Sequence, residues 1–556
     1  MTASLLHAFG LIALSWGWLA FDHYRPWLNF TSESLAFFGL AFLSMALLLR
    51  DQPAPRTPPL LGVLFAISLI PWLQWFFGVT HFMGDALVPS MFLVAFTLAV
   101  YVGHATGTES LTGVPPFTHV LWIVALASGA VGLAQWLGVQ DRLQMYAVQT
   151  DPGDRAMGNM GQPNHLATLL LMGIASYTLV FEKRLVGRLT YGLGIVFLSV
   201  LVLLTQSRAG LLGLMVLAVF VAFKSWRTEE SRLTPLVVLL WAAACAAGRP
   251  VVPIIQSMLL LGPGRETPLT FVDDRLMTWK QVAEGISQAP WLGYGWNRSA
   301  TAIGSGALVH PGTNTPNYSH NLVLDLLAWN GVPLGLALVA LGGYWLWTRM
   351  RRVQGPEPVF ALAAVLPLVV HSLLEYPFAY GYFLVACGLL VGVVEASLKP
   401  AWQMTVKKHW VCSALAIWMA AGAVVIYEYL LIQEDFRIVR FENLRIGKTP
   451  SDYQPPTIHV LTHMGAMLDA SRMRPAPDMR AEDLHTLNEA ARRFPLGALA
   501  LRNALALGLN DDPEGATKQM AVLRGMYGER YYIAAKHDLR LLQAEKYPQL
   551  GAVRTP

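Results

Sequence analysis

The stretch 161–181, GQPNHLATLLLMGIASYTLVF, joins a polar head to an unbroken apolar run. As a helix the run is about long enough for a ~30 Å hydrocarbon core. Pro163 sits at its first turn, where a missing N–H costs nothing. The pattern recurs along the chain. Apolar stretches fall near 4–21, 34–49, 59–77, 86–103, 118–137, 164–181, 190–205, 209–223, 234–247, 321–347, 358–374, 382–398 and 410–427. With 54% hydrophobic and 13% charged residues among 556, the chain is too apolar for soluble cores alone. It reads as an all-α, polytopic membrane bundle of about 13 spans. The first stretch has no basic residue before it and no small-residue cleavage site after it, so it reads as a retained span.

The net charge of +5 comes from basic residues scattered over short loops, which argues against a nucleic-acid partner and for a role in orientation. One set of loops carries fourteen Lys and Arg, from Arg50 to Lys399 and Lys408; the short loops opposite carry Arg25, Arg142 and Arg155. That bias puts the first set in the cytoplasm together with the N terminus. Cys245, Cys387 and Cys412 all fall in expected spans, where a thiol acts as a small hydrophobe. No metal motif is present in the sequence, and no cofactor is expected.

Two regions depart from the span pattern. The segment 248–320 is long, with Gly/Pro punctuation in GPGRETP and HPGTNTPN, and reads as an ordered lid or pocket wall. Its part 251–261 is apolar but too short to span, as expected of a re-entrant or interfacial helix. Past 427 the composition turns to Ala, Arg, Glu and Leu with helical periodicity. Two domains are therefore expected, a transmembrane domain 1–427 and a soluble helical domain 428–556. Amphipathic helices over 481–494, 496–509, 513–526 and 529–545 give the second a TPR-like look and, on the thirteen-span count, an outer location.

This topology gathers the unusual polar residues on the outer side, and polar groups at hydrocarbon mark function by default. Arg208, in QSRAG, lies where one span ends and the next begins; Ser207 can cap the new helix and Gly210 lets helices approach. Its guanidinium can meet an anion at the surface or snorkel to lipid head groups. Arg275, in FVDDRLMTW, opens an amphipathic helix and can equally pair with Asp273 or Asp274. Two planar guanidiniums on one face suit a diphosphate, hence a lipid-linked substrate whose leaving group they would stabilise in place of a metal.

His320, between Ser319 and Asn321, can take a proton from an attacking hydroxyl or simply bond to nearby backbone at a helix start. Gln162, Asn164 and His165 open the sixth span; capping accounts for Asn164, less well for Gln162 and His165. His371 and Glu375, spaced i, i+4, share a helix face as a pair shaping the pocket. Tyr376 and Tyr380 follow, placed to meet sugar or phosphate or to form an interfacial girdle.

GNMGQPNHLA, LLTQSRAG, YSHNLVLDLLAWNGVPLG and HSLLEYPFAYGYFL, in that order, resemble the bacterial O-antigen ligase/polymerase superfamily, most closely its pilin-type protein O-oligosaccharyltransferases. The resemblance covers most of 20–400, and the tail is similar to a domain found in that branch. It implies a helical inner-membrane enzyme that moves a preassembled glycan from undecaprenyl diphosphate, at the periplasmic face, to Ser or Thr of pilins or other exported proteins. It further implies His320 as base, Arg208 and Arg275 on the diphosphate, Gln162 and Tyr376 at the substrate, and neither metal nor nucleotide. Ligation onto lipid A-core and polymerisation share these motifs. A transporter of lipid-linked sugars would place charges through both halves of the bundle or show an internal repeat, and the sequence has neither.

Overall fold

A computed structural model describes residues 2–50, 56–109, 114–227, 231–261, 270–313, 316–398 and 404–555. GPGRETP and Lys399 lie outside the described residues, as does the side chain of Asp273. Every expected apolar stretch falls on helix. Among the described residues, eight helices are long and apolar enough to cross a membrane, and a ninth span arises if Pro235–Gly248 and Val251–Met258, bent by 49°, count as one. Leu60–Phe76, Arg188–Leu204, Pro356–Ser372 and Gly381–Ala396 are apolar but shorter. Among the described residues the one ladder is a two-residue antiparallel pair, Arg56 opposite Thr405 and Thr57 opposite Met404.

The chain divides into two compact units, one of 1–67, 92–267 and 343–419, the other of 68–91, 268–342 and 420–556. In the first, Pro163–Glu182 is the central helix: every residue from His165 to Phe181 is buried. A helix apolar all round has no solvent or lipid face and must be enclosed. Pro116–Trp136, Pro356–Ser372, Arg188–Leu204 and Arg208–Trp226 enclose it. The central position fixes the height and direction of its polar head.

In the second unit the helix Leu322–Arg352 breaks at Gly331, whose φ of 74° and ψ of 171° only glycine adopts readily. Pro333 removes the N–H that Trp329 O would accept in a regular helix. The freed carbonyls are satisfied from elsewhere: Tyr294 N–H donates to Ala328 O at 2.8 Å and Gly295 N–H to Trp329 O at 3.1 Å. Gln74 Nε2 also donates to Trp329 O, at 2.9 Å, while its Oε1 accepts Trp296 N–H at 2.8 Å. The break thus holds the turn at 294–296 within the 268–320 segment.

The helix Lys408–Leu444 runs without interruption through residue 428, where composition changes. Its acidic residues then anchor the tail. Glu428, buried, accepts the N–H groups of His459, Val460 and Leu461 at 2.7–2.9 Å. Arg472 meets Asp435 and Glu442. Thr462–Arg472, Ala481–Arg493, Gly497–Leu509 and Pro513–Glu545 pack in succession, the last broken at Gly528, so helices lie where the amphipathic segments were expected. The tail also packs on the 299–313 region: Thr301 Oγ1 donates to Arg492 O at 3.0 Å and Gly312 N–H to Gly525 O at 2.7 Å.

Candidate active-site residues in each unit

In the first unit the polar head of Pro163–Glu182 meets the start of Arg208–Trp226. The capping residue is Gln162 rather than Asn164: its Oε1 accepts Asn164 N–H at 2.7 Å and His165 N–H at 3.3 Å. Asn164 is left free to link elements. Its Oδ1 accepts the Ser207 hydroxyl at 2.7 Å and Arg155 Nη2 at 3.2 Å, and its Nδ2 donates to Glu375 at 3.3 Å. Ser207 caps the second helix, accepting Gly210 N–H at 2.8 Å, as expected from SRAG. Gly210 faces Ala167, so these two helix starts approach closely.

Arg208 follows at the first helical position with an exposed side chain. Among the described residues its guanidinium has no ion-pair or hydrogen-bond partner. A cation at the positive end of a helix dipole is unfavourable unless an anion joins it.

His165 is buried, its Nδ1 3.2 Å from the Tyr382 hydroxyl and its ring 4.4 Å from Tyr380 in an edge arrangement. Tyr376 stacks on Tyr380 with centroids 6.0 Å apart. Burial, with help from Glu375, pushes the Tyr376 hydroxyl above its ordinary range, keeping it a neutral donor. The helix carrying His371 ends at Ser372, and Glu375 N–H donates to His371 O at 2.8 Å. The His371 side chain meets Thr168 Oγ1 at 2.8 Å. Gln162, Asn164, His165, Tyr376, Tyr380, His371, Glu375 and Arg208 therefore all belong to one unit.

Residues outside that expected set complete it. Arg155 Nε donates to Thr205 O at 2.8 Å, fixing the turn that leads to Arg208. Gln135, buried in its span, accepts Gly158 N–H at 2.8 Å, and Asn159 donates to Leu19 O and Tyr146 O. These amides hold the loop before GQPNH. An amide inside an apolar run, as at Gln135, is the sequence signal for such a role.

His320 and Arg275 belong to the second unit. Arg275 lies in Thr270–Gln288, the amphipathic helix expected around it, and is half-buried. His320 is half-buried with a left-handed φ of 60°. Asn321 Oδ1 caps the helix behind it, accepting Val323 and Leu324 N–H at 3.0 and 3.3 Å. Trp279 Nε1 donates to Ser319 O at 3.0 Å, tying the Arg275 helix to the histidine turn. Among the described residues no group of three His, Cys, Asp or Glu is arranged to hold a metal ion.

Family comparisons fall on the same features. Residues 156–176 match the family described as protein glycosylation ligase, 193–340 that described as O-antigen ligase, and 359–541 the C-terminal region of a virulence factor membrane-bound polymerase. The chain is 28% identical over 539 residues to a general O-oligosaccharyltransferase of Acinetobacter baylyi, covering 94% of this chain and 92% of that one. It is 25% identical over 343 residues to a ComP-specific O-oligosaccharyltransferase of the same organism, 60% of each. With ligase and glycosylation-ligase matches falling in order on GQPNH, SRAG and SHN, this multi-pass membrane protein is similar to the O-antigen ligase/polymerase superfamily and, within it, to protein O-oligosaccharyltransferases.

Proposed function

We propose that the protein is an oligosaccharyltransferase of the bacterial inner membrane. It moves a preassembled glycan from undecaprenyl diphosphate to Ser or Thr hydroxyls of a pilin or another exported protein at the periplasmic face. The observation that carries the protein acceptor is the alignment with the general O-oligosaccharyltransferase, which runs over almost the whole of both chains and so includes the tail.

In this reading His320 takes the acceptor hydroxyl proton as its oxygen attacks the anomeric carbon. The bond from that carbon to the diphosphate oxygen breaks, and the lipid diphosphate leaves with the electron pair. Arg208 supports the reading as an exposed cation at a helix start, without an ion-pair partner among the described residues, and so a suitable partner for that growing charge. Arg275 is the second clamp. Tyr376 and Tyr380 present a stacked aromatic face for sugar, with Gln162 and His165 shaping the turn beneath them.

The test is transfer by purified protein with a lipid-diphosphate glycan, offered a pilin-like protein or lipid A-core. Glycan on Ser or Thr supports the proposal; transfer to lipid A-core alone makes the protein an O-antigen ligase, the reading favoured by the match over 193–340.

A further inference from the structure

His320 occupies a left-handed backbone conformation that non-glycine residues avoid, so something must hold it there. What holds it is a buried polar knot behind the turn. Ser319, fully buried, donates its N–H to Asp325 Oδ1 at 2.9 Å. Its hydroxyl donates to Asn321 O at 2.8 Å and receives Asn321 N–H at 3.1 Å. Asp325 is itself fully buried in the first turn of the following helix, and its Oδ1 also accepts the Ser299 hydroxyl at 2.6 Å. Ser299 is fixed in turn by Trp329 Nε1 at 2.7 Å.

One oxygen of Asp325 therefore does all the hydrogen bonding. The other, Oδ2, is buried with no hydrogen-bond partner among the described residues. An asparagine would satisfy Ser319 and Ser299 as well, without the cost of burying a carboxylate that lacks a bonded cation. The charge therefore needs a use, and the group it acts on electrostatically is His320, five residues away.

We infer that Asp325 is a positioning residue for His320, an inference that rests on the reading of His320 as the base. Through Ser319 it fixes the turn that aims the imidazole. As the hydroxyl proton passes to the imidazole nitrogen, the carboxylate stays ionised and favours the imidazolium that forms, lowering the barrier without touching either substrate.

The test compares Asp325→Asn, Asp325→Ala and His320→Ala full-length proteins with wild type in the same transfer assay, kcat and KM measured separately. Asp325→Asn keeps an oxygen for Ser319 and Ser299 and removes the charge. Its kcat is expected to fall about tenfold or more with KM for both substrates within about twofold; Asp325→Ala is expected to fall further. Wild-type kcat in Asp325→Asn, or a loss that follows KM or protein yield, overturns the inference. If neither Asp325 variant accumulates, Ser299→Ala loosens the same carboxylate: a several-fold fall in kcat alone supports the inference, and unchanged kcat overturns it. A normal rate in His320→Ala overturns the functional reading itself, separately from the role of Asp325.

Discussion

Asn164 Oδ1 accepts the Ser207 hydroxyl at 2.7 Å, so the starts of two helices far apart in sequence are locked by one hydrogen bond directly before Arg208. The same hydroxyl is the cap of the second helix. Ser207→Ala removes both contacts, and stability is expected to fall by about 1–2 kcal/mol. Unfolding of the purified protein in detergent measures it; an unchanged midpoint would show that the lock is not formed.

Arg208 gives a prediction about charge geometry. A lysine keeps the charge but loses the planar fork that grips two phosphate oxygens. Arg208→Lys is expected to cut the transfer rate about tenfold or more, equivalent to losing one charge-assisted hydrogen bond of roughly 1.5 kcal/mol, at unchanged protein level. Initial rates checked against membrane abundance decide it, and a wild-type rate removes Arg208 from the diphosphate.

The break at Gly331 gives a folding prediction. A Cβ there would stand 2.3 Å from Trp291 O, on a backbone that side-chain-bearing residues avoid. Gly331→Ala is expected to cost roughly 2–3 kcal/mol and lower the yield of folded protein. A variant that accumulates and melts like wild type contradicts the account of the break.

His463 gives a pH prediction. It is buried in the tail, and burial holds its pKa down at about 4, with Arg493 adding to the shift and Asp85 opposing it. The unfolded chain binds that proton near pH 6.5. Between these values the unfolded state carries the extra proton, so stability falls as pH drops through about 6.5 to 4, by about 3 kcal/mol in all, and is unaffected above. Proteolysis of the tail across this range, wild type against His463→Gln, should show a shallower slope in the variant. Equal slopes contradict the assignment.

The helices and the order of the polar motifs were legible in the sequence because apolar length and proline placement are local signals. What was not legible is which polar groups bind one another. Asn164 was expected as the cap because asparagine favours that position, yet the cap is Gln162, whose side chain folds back onto the chain ahead of it. That frees Asn164 for partners at 155, 207 and 375, which no local pattern reveals. Arg155 read only as a loop charge for the same reason. Asp325 drew no notice as one acid in an apolar run, and its partner Ser299 comes from a different segment. The composition change at 428 reads as a boundary, but a change of surroundings need not break a backbone that remains helical.

The most direct measurement is reconstituted transfer by wild-type and His320→Ala protein, with a lipid-diphosphate glycan, a pilin-like acceptor and EDTA, products resolved by mass. Glycan on Ser or Thr with wild type and none with His320→Ala, at equal protein and undiminished by EDTA, is the predicted result. Equal product from both proteins, or glycan lipid moved across vesicles with no acceptor modified, would contradict it.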